Sequence, residues 1–268
     1  MHVHSHWSDG ELSPRELVER AKSEGLTGLC LTDHDTMAGV AEWEEAGRAL
    51  GFPVFGGIEI SCTQPGTGRP LHILGYAIPP EGRCAVEDFC AHIRHSRNQA
   101  VRESAARLER AGFPVSIRQV EMLAGPGGQL CKQYIMRILM DAGLCDTLYG
   151  QLYRELFKSG KGGAAPIAAL TFETADPVAA VRCVIAAGGK AVLAHPGQYG
   201  NFDALPGLIA AGLSGIEAHH PKHDAQTVAR CLDLARARHL IATGGSDYHG
   251  IYGEGERLGK PGVPMQLI

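Results

Sequence analysis

The sequence of 268 residues is defined first by what it lacks. No run of about 18 apolar residues occurs, so no transmembrane helix is expected. The opening MHVHSHWSDG has neither a basic n-region nor an apolar h-region, so no secretory leader is expected and the cytoplasm is the default compartment. An excess of positive charge is also missing: 25 Lys+Arg stand against 29 Asp+Glu, a formal net charge of -4. That argues against charge-driven binding to nucleic acid or membrane as the main activity, although it leaves room for a local basic pocket. The 8 cysteines contain no C-x-x-C pair, which disfavours a zinc ribbon or a thioredoxin-like motif and leaves scattered buried thiols. No internal repeat, low-complexity segment or heptad pattern is present. Tryptophan is scarce at 2, whereas histidine reaches 13.

Apolar residues make up 44% of the chain and charged residues 20%, the balance of a globular protein with a sizeable core. Short apolar runs alternate with helical stretches. Residues 1–4 read as a first strand. At Ser13-Pro14-Arg15-Glu16, Ser13 caps, Pro14 takes the first helical position and Glu16 completes a capping box, so a helix is predicted to about residue 24. Further strands are predicted at 28–32, 54–57 (leading into Ile58-Glu59-Ile60-Ser61), 72–76, 190–193, 215–217 and 240–243, with helices at 39–50, 177–187, 202–211 and 224–238. The middle third differs: 86–111, 129–142 and 148–159 are helical patterns, with no convincing strand between 78 and 165. The reading is an α/β fold of βα repeats, barrel-like, with its active site at the C-terminal strand ends. Residues 1–78 and 166–268 form the barrel, and 79–165 a helical insertion.

The histidines fall where such a barrel concentrates its chemistry. His2, His4, Glu59, His72, His195, Asp247 and His249 stand at strand ends, with Asp9 and His34 close by. A lone histidine is usually just a hydrogen-bonded polar residue. The combination is different, because His2-Val3-His4 alternates on an extended segment and so turns both imidazoles to one side. Mixed imidazole and carboxylate donors suit Zn, Mn or Fe better than Ca or Mg. Nine donors exceed the needs of one ion and favour two or three divalent ions sharing a carboxylate.

The motifs His2-Val3-His4 with Ser8-Asp9-Gly10, Thr32-Asp33-His34-Asp35, Gly57-Ile58-Glu59, His72, Ala194-His195-Pro196 and Gly245-Ser246-Asp247-Tyr248-His249 occur in that order. Together they resemble the PHP (polymerase and histidinol phosphatase) superfamily of metal-dependent phosphoesterases over nearly the whole chain. The resemblance implies a distorted (β/α)7 barrel with a trinuclear metal centre at its open end. The helical insertion after His72 is similar to that of the subgroup hydrolysing nucleotides and other small phosphates. The resemblance also divides the donors: His2, His4, Glu59 and Asp247 on one ion, Glu59, His72 and His195 on a second, and Asp9, His34 and His249 on a third. Asp33 and Asp35 read either as groups that orient His34 or as turn carboxylates. His6 and His219 are left unassigned.

Substrate recognition departs from the relatives. The nucleotide-hydrolysing subgroup usually carries Gly-Arg-x-His at a helix start in the insertion, and the equivalent here is Cys131-Lys132-Gln133-Tyr134. Lys132 meets a phosphate as a point charge and not bidentately, and Tyr134 donates one hydrogen bond without becoming cationic. The expectation moves from a nucleoside 3′,5′-bisphosphate toward a smaller sugar phosphate or a cyclic phosphodiester such as a ribose cyclic phosphate, which another branch of the family hydrolyses. Lys161, ahead of Gly162-Gly163, is a further phosphate-binding candidate that also reads as a solvated loop lysine. The resemblance places His220 and His223 in the pocket, able to bind the phosphoryl group or to protonate the leaving oxygen. His92, His95 and His239 read as surface residues, and Arg94, Arg97 and Arg102 as a solvated stripe on the long helix.

The expected activity is hydrolysis of a small phosphate ester. A hydroxide bridging the first two ions would attack phosphorus, while the third ion, Lys132 and His223 stabilise charge on the phosphoryl oxygens. A nucleoside bisphosphate phosphatase or a 5′→3′ exonuclease on short oligonucleotides is the second reading. A catalytically silent metal-binding module is the third, and a complete nine-donor set argues against it. The expected partner is a small phosphorylated molecule, without a membrane or a stable nucleic-acid partner. Metal identity and oligomeric state are not legible.

Overall fold

The computed structural model describes residues 1–158 and 165–262. Helix α1 (Pro14–Ser23) starts on the expected capping box, with Ser13 accepting from the Glu16 backbone and Pro14 in the first turn. Strand β1 (Leu29–Leu31) is wholly buried, and α2 (Val40–Leu50) ends at Gly51, whose φ of 58° is a left-handed cap. Next come β2 (Val54–Thr63) and β3 (Pro70–Tyr76), then α3 (Pro80–Arg110), α4 (Ile117–Ala124), α5 (Lys132–Asp141) and α6 (Gln151–Phe157). The final third runs α7 (Pro177–Ala186), β4 (Lys190–Leu193), α8 (Pro196–Tyr199), α9 (Leu205–Ala210), β5 (Gly215–His219), α10 (Ala225–Arg238) and β6 (Ile241–Gly244).

The six strands form one curled mixed sheet, half a barrel, with neighbours in chain order. The pairs β1–β2, β4–β5 and β5–β6 are parallel, as a βα repeat requires. The pairs β2–β3 and β3–β4 are antiparallel, which departs from a regular repeat. The cause is local: only a short Gly-containing turn separates β2 from β3, and an antiparallel pair needs no crossover helix. The expected first strand is also reduced, to a single parallel bridge between Val3 and Tyr248. The segment is fixed all the same. Thr32 N donates to Val3 O at 2.9 Å, His4 N to Tyr248 O at 3.0 Å and Asp247 N to His2 O at 2.9 Å. The N-terminal residues therefore lie between the chain leaving β1 and the chain leaving β6, bonded to both. Glycine permits this approach, because a Cβ at Gly245 would lie 2.1 Å from His2 Cβ.

Two large apolar clusters form. One joins Ile58, Ile60, Ile73, Leu193 and Ile216 of the sheet to α7, α10 and the first half of α3 through Val86, Cys90 and Ile93. The other joins Val101, Ala105 and Leu108 of the second half of α3 to α4, α5 and α6. The single helix α3 thus serves both clusters. Among the described residues, no helix is long and apolar enough to cross a membrane.

Candidate metal centre

The site gathers around Glu59, which is fully buried on β2. Its two oxygens face different partners. Oε1 lies 2.7 Å from His72 Nδ1 and 2.8 Å from His195 Nε2. Oε2 lies 3.1 Å from His2 Nε2, 3.2 Å from His4 Nε2 and 3.3 Å from His34 Nδ1. Asp247 Oδ1 completes the second group at 3.1 Å from His4 Nε2 and 3.3 Å from His2 Nε2. On the far side of His4, Asp9 Oδ1 is 3.8 Å from its Nδ1 and 3.2 Å from His249 Nε2.

Donor atoms within 4.8 Å of one another define three groups: His2, His4, Glu59 and Asp247; His4, Asp9, His34 and His249; and His34, Glu59 and His72. The first is the set expected from the sequence. The second holds the three expected residues with His4 added, since the His4 ring lies between two groups. In the third, His34 stands in for His195, although His195 reaches Glu59 Oε1. The donor set fits divalent cations on an observation of this structure. His4 Nδ1, Asp9 Oδ1, His34 Nδ1 and His195 Nδ1 are buried without any hydrogen-bond partner, and buried polar atoms rarely stay unpaired.

Two residues of the candidate centre adopt backbone conformations that non-glycine residues avoid. His195 has φ 23° and Asp247 φ 49°, each costing about 1–3 kcal/mol. Bonds from the surroundings hold them there: His195 N donates to Glu217 Oε2 at 2.9 Å, and Asp247 N to His2 O.

Electrostatics follow from the packing. Burial opposes ionisation of Glu59, but the imidazoles of His34, His2 and His72 outweigh it and hold the carboxyl well below the usual range. Asp9 and Asp247 are also pulled down against burial, chiefly by His249 and by His2, respectively. Burial disfavours the cation of His2, yet Glu59, Glu217 and Asp247 raise it well above the ordinary value. His249 is likewise raised, to about 10, by Asp9 and Asp247. Both imidazoles are therefore biased toward the cation without a metal, whereas a ligating imidazole must be neutral. Metal loading should therefore release protons at pH 7, and affinity should rise with pH. Calorimetric titration of Mn²⁺ in buffers of different ionisation enthalpy measures that release; a proton count of zero would contradict the assignment of these two residues as ligands.

Glu217, Gln133 and Gln129 join the site without having been singled out by the sequence. Glu217 on β5 is fully buried, with Oε1 3.1 Å from His2 Nδ1 and Oε2 on the His195 backbone. It turns Nε2 of His2 toward Glu59, the usual service of a carboxylate behind a ligating imidazole. The available signal was an acidic residue inside a short apolar strand, which cannot be buried unpaired. Gln133 Nε2 donates to Asp9 Oδ2 at 3.0 Å, and Gln129 Nε2 to His34 O at 2.8 Å. Asp33 accepts from Ser5 N, Ser5 Oγ and Ser8 Oγ, each at 2.7 Å, so it ties down the loop carrying His4 and Asp9. Asp35 accepts from Ser61 N at 2.7 Å and pairs with Arg97 at 2.6 Å. The reading of Arg94 and Arg97 as a solvated stripe is corrected accordingly: Arg97 also donates to Ser61 Oγ, and Arg94 donates to Asp35 O. Arg102 remains on the surface, paired with Glu121.

The substrate candidates are redistributed. His220 is buried and accepts on Nδ1 from Lys222 N at 3.1 Å, so its Nε2 donates to Asp247 Oδ2 at 3.4 Å. His223 does not face a pocket with a free nitrogen. Its Nδ1 donates to Ala218 O at 2.9 Å and its Nε2 accepts from Gly197 N at 3.0 Å, so the ring straps two loops together. Burial lowers its pKa, which suits the neutral ring these bonds require. Tyr134 is 1% exposed and its hydroxyl donates to Ser8 O at 3.4 Å, so its donor is committed inside the protein. Lys132 is half-buried at the start of α5, with its Nζ over the Tyr153 ring at 5.6 Å and no carboxylate partner among the described residues. Burial lowers its pKa, Asp9 opposes that, and Arg97 adds to it. Lys161 lies outside the described residues. Tyr199, which the sequence reading passed over, packs against His72 and His195.

Comparison with known proteins adds a family. The pattern of the PHP domain matches residues 1–109. A phosphoribosyl 1,2-cyclic phosphate 1,2-diphosphodiesterase of Eggerthella lenta is 39% identical over 259 residues, covering 97% of both chains. A 3′,5′-nucleoside bisphosphate phosphatase of Chromobacterium violaceum is 32% identical, covering 96% of this chain and 88% of its own. A solved structure from Bifidobacterium adolescentis, named for metal-dependent phosphoesterase activity, superposes with a TM-score of 0.84 at 28% identity, covering 97% of this chain and 90% of its own.

Proposed function

The chain belongs to the PHP family of metal-dependent phosphoesterases and is a hydrolase of phosphoric esters; from that premise we propose that its substrate is a small cyclic phosphodiester on a phosphorylated ribose. The observation that carries the choice is the first turn of α5. Gln133 is turned inward onto Asp9 and Tyr134 onto Ser8, so Lys132 alone is left to meet a phosphoryl group from this helix. Lys132 meets a phosphate as a point charge, without the bidentate grip of the Arg that the bisphosphate-hydrolysing subgroup carries at this helix start, and that weighs against a nucleoside bisphosphate. The 39% identity with the phosphoribosyl cyclic phosphate enzyme favours the same choice.

Two or three ions of Mn, Fe or Zn would be held by His2, His4, Asp9, His34, Glu59, His72, His195, Asp247 and His249, with Glu59 shared between donor groups. When bound, such ions supply positive charge at the phosphoryl oxygens and make water a nucleophile near neutral pH. The chain's own part is positioning. Glu217 sets the tautomer of His2, His220 steadies Asp247 from behind, and Asp33 fixes the loop of His4 and Asp9. Lys132 places its charge beside the cluster. In this proposal residues 1–78 and 166–268 form a distorted (β/α)7 barrel that carries the metals, and 79–165 form a cap that supplies substrate contacts.

Mn-loaded protein should hydrolyse a phosphorylated ribose cyclic phosphate with a kcat/KM about 100-fold above that for a nucleoside 3′,5′-bisphosphate or a short oligoribonucleotide. Faster turnover of either competitor would replace this reading by the bisphosphatase or the exonuclease. Absence of turnover on all three, together with p-nitrophenyl phosphate, would favour a silent metal-binding module.

A further inference from the structure

Tyr199 closes the short helix α8, four residues after the ligand His195. Its ring centroid lies 5.7 Å from that of His195 and 5.8 Å from that of His72, edge-on at 74° and 66°. Those two imidazoles are the ones that converge on Glu59 Oε1. The phenol ring is thus a wall of the site on that side, half-buried and continuous with the ligands.

A phenylalanine would pack there equally well, so the hydroxyl is the part that asks for an explanation. It accepts a hydrogen bond from the exposed Gln198 Nε2 at 3.1 Å. Its own proton has no acceptor among the described residues, while a phenol donates as well as accepts. Partly buried tyrosines usually find a partner for that group. The ring that carries this unpaired donor packs on His72 and His195, the two imidazoles that converge on Glu59 Oε1.

We propose that Tyr199 is a substrate-binding residue whose phenol donates a hydrogen bond to a non-bridging oxygen of the phosphoryl group held beside His72 and His195. This rests on the phosphoesterase reading. It assigns a neutral donor beside His72 and His195 in addition to the cation of Lys132. No bond is broken by this residue; its part is to bind and orient.

The test uses Tyr199→Phe, which keeps the ring and removes only the donor. Inorganic phosphate is the probe, titrated calorimetrically into Mn-loaded wild type and variant, so that the measurement does not depend on turnover. The variant should hold the same Mn per chain, melt at the same temperature and bind phosphate about 10- to 100-fold more weakly. With p-nitrophenyl phosphate, kcat/KM should fall by a similar factor. Phosphate affinity within twofold of wild type would overturn the proposal. So would a loss of Mn in the variant, because the residue would then serve the metals and not the substrate. If wild type hydrolyses no ester while phosphate binding still weakens in the variant, the phosphoesterase reading fails and the anion contact stands.

Discussion

Replacing Glu59 with Gln abolishes hydrolysis while leaving the fold intact: that is the expected result, with kcat reduced by a factor on the order of 10³ or more. The side chain keeps its shape, so the packing of β2 is not disturbed. What changes is that one of the two oxygens becomes an amide nitrogen. Either Oε1, which serves His72 and His195, or Oε2, which serves His2, His4 and His34, would be replaced by a group that repels a cation. Two of the three donor groups contain Glu59. Metal content measured by mass spectrometry should drop together with activity, while the melting curve of the metal-free protein shows a single cooperative transition. A variant retaining full metal and near-full turnover would show that the carboxylate does not bridge.

Glu217→Ala is expected to have the next largest effect, although Glu217 would touch no metal. The carboxylate fixes the proton of His2 on Nδ1 and accepts from the His195 backbone. Loss of such a partner typically weakens metal binding by about 10- to 100-fold. The buried His195 N–H left without an acceptor destabilises the protein by about 1–3 kcal/mol. Burial opposes the charge on Glu217, but His2 and then His220 and His195 outweigh it and pull the carboxyl down to about 2 from an ordinary 4.5. A depressed carboxyl contributes stability that is complete above its unfolded value and is lost as pH falls toward the folded one. The metal-free variant should therefore be less stable at neutral pH and should lose less on acidification between about pH 4.5 and 2. Equal Mn affinity in variant and wild type would remove Glu217 from the assembly of the site.

The sequence order of strands and helices made most of the candidate donor set legible. His2 and His4 alternate, and His72, His195 and Asp247 follow apolar runs, so a barrel-like arrangement brings them to one end. The antiparallel β2–β3 pair was not foreseen, because a long β2 running through Glu59 looks like two short strands when a βα repeat is assumed. Arg97 looked solvated because a charged helix face carries no mark of the partner it meets, and Asp35 is 62 residues away. His223 looked reactive because it neighbours His220. Sequence cannot show that both of its nitrogens are spent on backbone groups. Glu217 was missed for a related reason: a single acid in a strand reveals its role only when the ring behind it is in view.

The position of the N-terminal segment between the ends of β1 and β6 also bears on how the protein is made. His2 meets Glu217 across 215 residues of sequence, and His4 meets Asp247 across 243. Of the three donor groups, only His34, Glu59 and His72 lie within the first third of the chain. The other two wait for residues 247 and 249, so during synthesis they stay open until nearly the whole polypeptide has emerged. Closing such long loops is entropically slow. Completion of the proposed centre would therefore be a late step of biogenesis.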